Sequence, residues 1–176
     1  MATTRPGAAR MSGFQDVQRL LDARGLDYAL IEHHPTFTAG AEGRVAAVPP
    51  AHTAKAVMTC DAHGHLLAII PACDHLDLKK LRRAASRPAL RLATERELAT
   101  DFPQFELGAL PPFGELFDCS ELIDVRLLGP SRILCNGGDH RHSFVVRPDE
   151  LRYASGSGIA DLIADEAERS ARPSAR

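Results

Sequence analysis

"TAKAVMTCDAHGHLLAIIPA", residues 53–72, carries two strand-like apolar runs around a short turn that contains Gly64. Such a pattern reads as a β-hairpin. At a period of two, Ala54, Ala56, Met58 and Cys60 fall on one face of the first strand, and Lys55, Val57 and Thr59 on the other. One charge therefore sits inside an otherwise small and apolar strand. The chain has three lysines against eighteen arginines, and Lys55 is the only lysine outside the pair Lys79-Lys80. A compact, flexible amine has been kept where arginine is the habitual cation. It points either to solvent or into a cleft with alanine-sized walls, and its position in the strand leaves both open.

Outward from the hairpin, the chain alternates short elements in an irregular order. Upstream, Phe14, Val17, Leu20 and Leu21 recur at helical spacing with Gly25 as the stop, and Tyr28 to Ile31 alternate as a strand. A short helix starts at about Thr38, which can cap it, and ends before Pro49-Pro50. Downstream, "HLDLKKLRRAAS" is an amphipathic helix, "ALRLA" a short strand, and "TERELATDF" a helix with Thr94 and Glu97 at capping-box positions. "ELGALPPFGELF" reads as a stiff loop; "ELIDVRLLG", "SRILCN" and "HSFVVR" give three more strands. "PDELRYA" and "SGIADLIADEAER" close the chain as helices. About seven strands with irregularly interspersed helices predict a single α+β domain, its sheet mixed and curved, rather than a regular βαβ winding. We place that domain at residues 14–168, between disordered tails at 1–13 and 169–176.

Bulk properties narrow the classes. With 176 residues and 44% apolar composition, one domain can bury a real core. The longest apolar run, "LLAII" before Pro71, is far too short for a bilayer, so no membrane partner is expected. The arginine-bearing N-terminus lacks the apolar stretch of a signal peptide. Four cysteines stand far apart with no Cys-x-x-Cys pair, which together favours reduced thiols in a cytoplasm. A net charge of −2 gives no global attraction to nucleic acid. Any such partner must be met locally, and the stretch from Lys79 to Arg96, with seven basic residues and one acid, is the candidate patch or else a solvated helix face.

Two further motifs carry chemistry. In "GALPPFG", residues 108–114, consecutive prolines remove two backbone donors and leave carbonyls free to accept from a small cationic group such as an ammonium. Gly108 permits close approach. In "CNGGDHRHS", residues 135–143, Cys135, His140 and His142 invite a metal reading, but their spacing matches no closed zinc site within the segment. The Gly137-Gly138 turn reads more readily as exposed backbone near a ligand. The chain contains no Gly-x-Ser-x-Gly elbow and no phosphate-binding P-loop.

Taken in order, "TAKAV", "LDLKKL", "GALPPFG", "LIDVRL", "NGGDHRHSFVV" and "PDEL" resemble the YbaK/proline-tRNA-synthetase-associated domain family, from about Leu20 to Leu162. Those domains hydrolyse the ester of mischarged aminoacyl-tRNA on a mixed, β-barrel-like sheet wrapped by helices. The resemblance implies that Lys55 is the functional lysine that meets the tRNA 3′ end. It implies that Gly108, Ala109, Leu110, Pro111 and Pro112 form the Gly-x-x-x-Pro loop contacting the aminoacyl group. Asn136, Gly137 and Gly138 stand where relatives carry Ser-Gly-Gly, so Asn136 departs from that pattern. We add His142 to the substrate-binding set, and Lys79, Lys80, Arg82 and Arg83 as tRNA contacts. The expected partners are the aminoacyl-tRNA acceptor end and an aminoacyl-tRNA synthetase; no cofactor or metal is expected. An aminoacyl ester is already activated, so placement and modest electrostatic help suffice, and no strong nucleophile is required. Alanines beside Lys55 and in the loop suggest a pocket for alanine, serine, threonine or cysteine. The competing reading is a non-catalytic module of the same fold that grips tRNA or a synthetase.

Overall fold

A computed structural model describes residues 13–155 and 158–165. The elements run α1 (Gly13–Ala23), β1 (Ala29–Glu32), α2 (Ala39–Val45), β2 (Ala54–Asp61), β3 (Gly64–Pro71), α3 (Leu78–Ala84), β4 (Arg91–Leu92) and α4 (Glu95–Asp101). They continue with β5 (Ser120–Asp124), β6 (Ile133–Asn136), β7 (His142–Val146), α5 (Pro148–Ser155) and β8 (Gly158–Ala160). The tails expected at 1–13 and 169–176 lie outside the described residues, except Gly13, which starts α1.

The quoted hairpin is the centre of the fold. β2 and β3 pair antiparallel from Ala54–Pro71 to Asp61–Gly64, which sets Lys55 opposite Ile70. The Asp61 carboxylate accepts from His63 N at 2.7 Å and tightens the turn, while Gly64 takes φ +104°. β4 joins β2, β5 adds to β3 in parallel, and β8 adds to β5, giving a five-stranded sheet ordered β4-β2-β3-β5-β8. A second, three-stranded sheet is ordered β1-β7-β6, and a bridge between Thr53 and Leu134 links the two. The single curved sheet expected from the sequence is thus two sheets of eight strands in all, which do not close into a barrel among the described residues. The mixed α+β class holds.

β3 is buried on both faces, as a strand between two layers must be. Leu67 and Ile69 enter one core with Val17, Leu21, Met58, Phe113, Ile133 and Phe144. Leu66, Ala68 and Ile70 enter another with Leu81, Leu90, Leu162 and Ile163. Helix starts follow the side chains that can satisfy their free N–H groups. Thr38 accepts from Ala41 N, Asp77 from Lys79 N and Lys80 N, and Thr94 with Glu97 completes a capping box.

Asp77 also corrects one expected boundary: α3 begins at Leu78, and Leu76 instead bridges Ile163. The strand expected over "ELIDVRLLG" stops at Asp124, whose carboxylate accepts from Arg126 N and starts a 3₁₀ turn over Val125–Leu128. The helix expected over "SGIADLIADEAER" is instead β8 followed, as far as Asp165, by chain without regular structure apart from the bridge at Ile163, and the rest of that stretch lies outside the described residues. There Asp77 N donates to Leu162 O, Ala164 N to His75 O, and Leu162 N to the Asp124 carboxylate. Backbone groups committed to neighbouring segments cannot also form an i to i−4 ladder.

Candidate active site

Lys55 is neither a solvent-facing decoration nor lost in the core. Its Nζ donates to Asp74 O at 2.5 Å. Burial pushes its pKa down, opposed first by the charge of the Asp74 carboxylate. Asp74 belongs to the loop after β3 and lines a cleft of about 410 Å³ with Ala51, His52, Pro71, Arg126, Gly129 and Pro130. A half-buried amine with one backbone acceptor, beside a cleft, keeps donors available for an anion.

The proline loop and the glycine turn are brought together. Gly108 adopts φ +83°, and a Cβ there would lie 3.5 Å from Phe37 O and 3.8 Å from His140 Cε1. Glu106 N donates to Gly138 O at 3.2 Å, and His140 N to the Glu106 carboxylate at 2.8 Å. Ala109, Pro111 and Pro112 are buried and Leu110 is half-buried against the core. The hydrogen bond of the Lys55 ammonium goes to Asp74 rather than to this loop.

Gly137 and Gly138 are not the exposed backbone that the sequence suggested; both are buried. A Cβ at Gly137 would meet His142 O at 2.6 Å, and one at Gly138, where φ is +91°, would meet Gly13 C and Phe105 Cδ1 at 2.9 Å. Glycine is needed there for close packing against α1 and β7. Asn136 pins the turn: its Oδ1 accepts from Gly138 N at 2.8 Å and its Nδ2 donates to Glu42 Oε2 at 3.1 Å.

The two histidines differ. His142 is held by Asp139 Oδ2 at 2.7 Å from Nδ1 and stacks on Phe14 at 3.9 Å between ring centroids. His140 packs against the exposed Phe37 ring at 4.6 Å, and its buried Nδ1 has no hydrogen-bond partner among the described residues. Cys135 is fully buried, and burial pushes its thiol far up. Among the described residues no three of the His, Cys, Asp and Glu side chains are grouped to hold a metal.

The basic stretch is less free than its composition suggests. Lys80 is bound to Asp161, Asp165 and Ile163 O, Arg87 to Asp61, and Arg91 to Glu97. Arg82 Nε donates to Leu90 O, while Lys79 and Arg83 are exposed. The residues that the sequence reading missed are Glu42 and Ser143, both buried and polar, together with the role of His33. A glutamate in a short helix and a serine in a strand carry no spacing signal that marks them.

An α+β domain with a half-buried lysine bonded to a residue of a cleft, and with its one histidine-bonded serine among the described residues, Ser143, fully buried, has the makings of a hydrolase for an already activated ester. The sequence profile of the aminoacyl-tRNA editing domain matches residues 33–154, and the chain belongs to that family. It is an aminoacyl-tRNA deacylase that edits mischarged tRNA. The chain is similar to the prolyl-tRNA editing protein ProX of Acetoanaerobium sticklandii, with 27% identity over 80% of this chain and 89% of that protein. A solved structure described as a candidate trans-editing enzyme for prolyl-tRNA synthetase is 28% identical, with a TM-score of 0.76 over 87% of this chain and 98% of that one. Another, of a hypothetical protein, is 25% identical with a TM-score of 0.76 over 84% of this chain and 99% of that one. No described helix is long and apolar enough to cross a membrane.

Proposed function

We propose that this deacylase acts in trans on a small amino acid, of the alanine, serine, threonine or cysteine class, esterified to the wrong tRNA. Because the Acetoanaerobium relative is a prolyl-tRNA editing protein, we expect the proline tRNA to be the adaptor. Association with a synthetase in the cytoplasm belongs to the same reading. The observation that carries it is the Lys55 ammonium, half-buried and oriented by the backbone oxygen of Asp74, a residue that lines the cleft.

Lys55 neutralises the terminal phosphate or the oxyanion that develops on the ester carbonyl. A preoriented cation in a partly dry site counts for more than one in water, and needs no rearrangement as the charge appears. The carbonyls of Gly108 to Pro112 hold the substrate ammonium, with Gly108 allowing close approach. Asn136, Gly137 and Gly138 act from behind, by fixing the segment that carries that loop. Water, oriented by the neighbouring ribose hydroxyl, attacks the carbonyl; the ribose oxygen of the ester leaves and takes up the proton that the water gives up, which releases the free amino acid. Of the two histidines, His140 has a buried Nδ1 without a hydrogen-bond partner among the described residues, and His142 is oriented by Asp139 through Nδ1, which leaves its Nε2 for a proton. Lys79 and Arg83 are the exposed cations we assign to the tRNA backbone.

Replacing Lys55 with alanine should lower kcat/KM on mischarged tRNA by about 10²–10³-fold, the scale of losing one preorganised charge-stabilising group. Arginine should fail as well, because a planar fork does not replace a point charge. Deacylation by Lys55→Ala within about twofold of wild type, with unchanged thermal unfolding, would contradict the reading. Tight tRNA binding without turnover by the wild type would favour the non-catalytic module.

A further inference from the structure

Beneath the Asn136 turn, Glu42 is 1% exposed and has both carboxyl oxygens engaged, Oε1 by Ser143 Oγ and Oε2 by Asn136 Nδ2. Ser143 Oγ also lies 2.8 Å from His33 Nε2, and His33 Nδ1 lies 2.8 Å from His34 O. A carbonyl only accepts, so His33 Nδ1 carries a hydrogen. One hydroxyl proton cannot serve both of its neighbours, and the chain is complete in just two arrangements. In one, the Glu42 carboxylate accepts from Ser143, which accepts from Nε2–H of a charged His33. In the other, Glu42 carries the proton and donates to Ser143, which donates to Nε2 of a neutral His33. They differ by the shift of two protons along one line, with total charge unchanged. Both leave Glu42 Oε2 accepting from Asn136.

We propose that Glu42, Ser143 and His33 form a buried proton relay that locks the Asn136 turn, making Glu42 a positioning residue for the loop that meets the substrate. The lock runs from Glu42 through Asn136 to Gly138 N, and from Gly138 O to Glu106 N, two residues before Gly108. Burial pushes the Glu42 carboxyl above the ordinary glutamate range, while its bonds from Ser143 and Asn136 and the charges of His33 and His140 oppose this. Cys135 also faces Glu42, but its thiol is held neutral by burial. Removal of the shared proton leaves Ser143 with one hydrogen between two acceptors, and one link of the relay beneath the lock opens. A buried carboxyl thereby communicates with the half-exposed His33.

The effect on turnover rests on the deacylase reading; the relay itself does not. The test follows the Glu42 carboxyl carbon by NMR against pH in the full chain, for wild type, His33→Gln, Ser143→Ala and the double variant. His33→Gln should move the Glu42 titration, and that movement should shrink at least twofold when Ser143 is alanine. A movement equal in both backgrounds is direct charge–charge coupling and overturns the relay. For the positioning role, Glu42→Gln sets an amide against Asn136 Nδ2 or Ser143. The Gly138 and Gly108 amide resonances should shift, and KM for mischarged tRNA should rise about tenfold more than kcat falls, with unfolding still cooperative. Unmoved amide resonances overturn the positioning role even where no preparation turns over; wild-type kcat/KM in Glu42→Gln overturns it where turnover is measured.

Discussion

The layers around β3 and the turn from β6 to β7 bury very different material. At the centre of the five-stranded sheet β3 is packed with hydrocarbon on both faces, with Leu66 to Ile70 all buried in apolar clusters, while the buried polar groups Thr59, Glu121 and Asp124 lie on the strands that flank it. The three-stranded sheet shares the apolar core through Ile133, Phe144 and Val146 but also buries Asn136 and Ser143 against Glu42 of α2, so hydrogen bonds join close packing in fixing its turn. Apolar burial is tolerant of detail and supplies stability, whereas a satisfied polar network specifies one geometry and penalises every partial version of it. The molecule thus separates a stabilising half from a half that holds a turn and a loop in register, and Lys55 lies on β2, next to the bridge between Thr53 and Leu134 that joins the sheets.

Cutting into the dry half should cost most. Ile69→Ala removes a fully buried side chain and should lower unfolding stability by about 2–5 kcal/mol, read as a fall in urea midpoint, while the protein that remains folded keeps its kcat/KM. In the wet half, Asn136→Ala leaves the Glu42 carboxyl and Gly138 N each short of a partner, for about 1–3 kcal/mol, but it should reduce turnover as well. Equal effects of the two substitutions on stability and on turnover would erase the distinction between the halves.

A smaller effect depends on pH. At the hairpin turn the Arg87 guanidinium lowers the Asp61 carboxyl from 3.8 to about 2, with the His63 backbone bond helping against the opposing effect of burial. The folded value lies below the unfolded one, so this stabilisation is present above about 3.8 and is lost as pH falls through about 2. Asp61→Asn should be less stable than wild type at pH 6, and the gap should close by pH 2; a constant gap would show that Arg87 matters here through shape alone. Smallest of all, Lys79→Ala with Arg83→Ala should flatten the dependence of log K for tRNA on log salt, by about one unit or less for each phosphate that is no longer neutralised.

Periodicity and turn chemistry made the local elements legible. The hairpin, its alternating faces, Thr38 as a cap and the Thr94–Glu97 capping box each follow from residues close in sequence. The C-terminal helix did not survive because Leu162 and Ala164 form their backbone bonds with His75, Asp77 and Asp124, partners that no local pattern announces. For the same reason the split into two sheets was not readable: it depends on which strands meet, not on which segments are strands. At the site, Lys55 stood out because it broke a strand's pattern and the chain's preference for arginine. The glycines of the turn were visible as glycines, but their cause was misread, since the atoms that exclude a side chain at Gly138 come from Gly13 and Phe105. Glu42 left no trace, because the two residues that satisfy it, Asn136 and Ser143, and His33 behind Ser143, come from other parts of the chain.

The central claim, that Lys55 is the cation on which ester hydrolysis depends, is tested most directly by one deacylation panel. Proline tRNA mischarged with alanine, serine, threonine or cysteine, together with correctly charged prolyl-tRNA, is incubated with wild type and Lys55→Ala under single-turnover conditions, with thermal unfolding checked in parallel. We predict that the wild type clears at least one of the small-residue esters well ahead of the prolyl ester, and that Lys55→Ala, equally well folded, loses about 10²–10³-fold of that rate. Equal rates for the two proteins on the ester that the wild type cleaves would contradict the account.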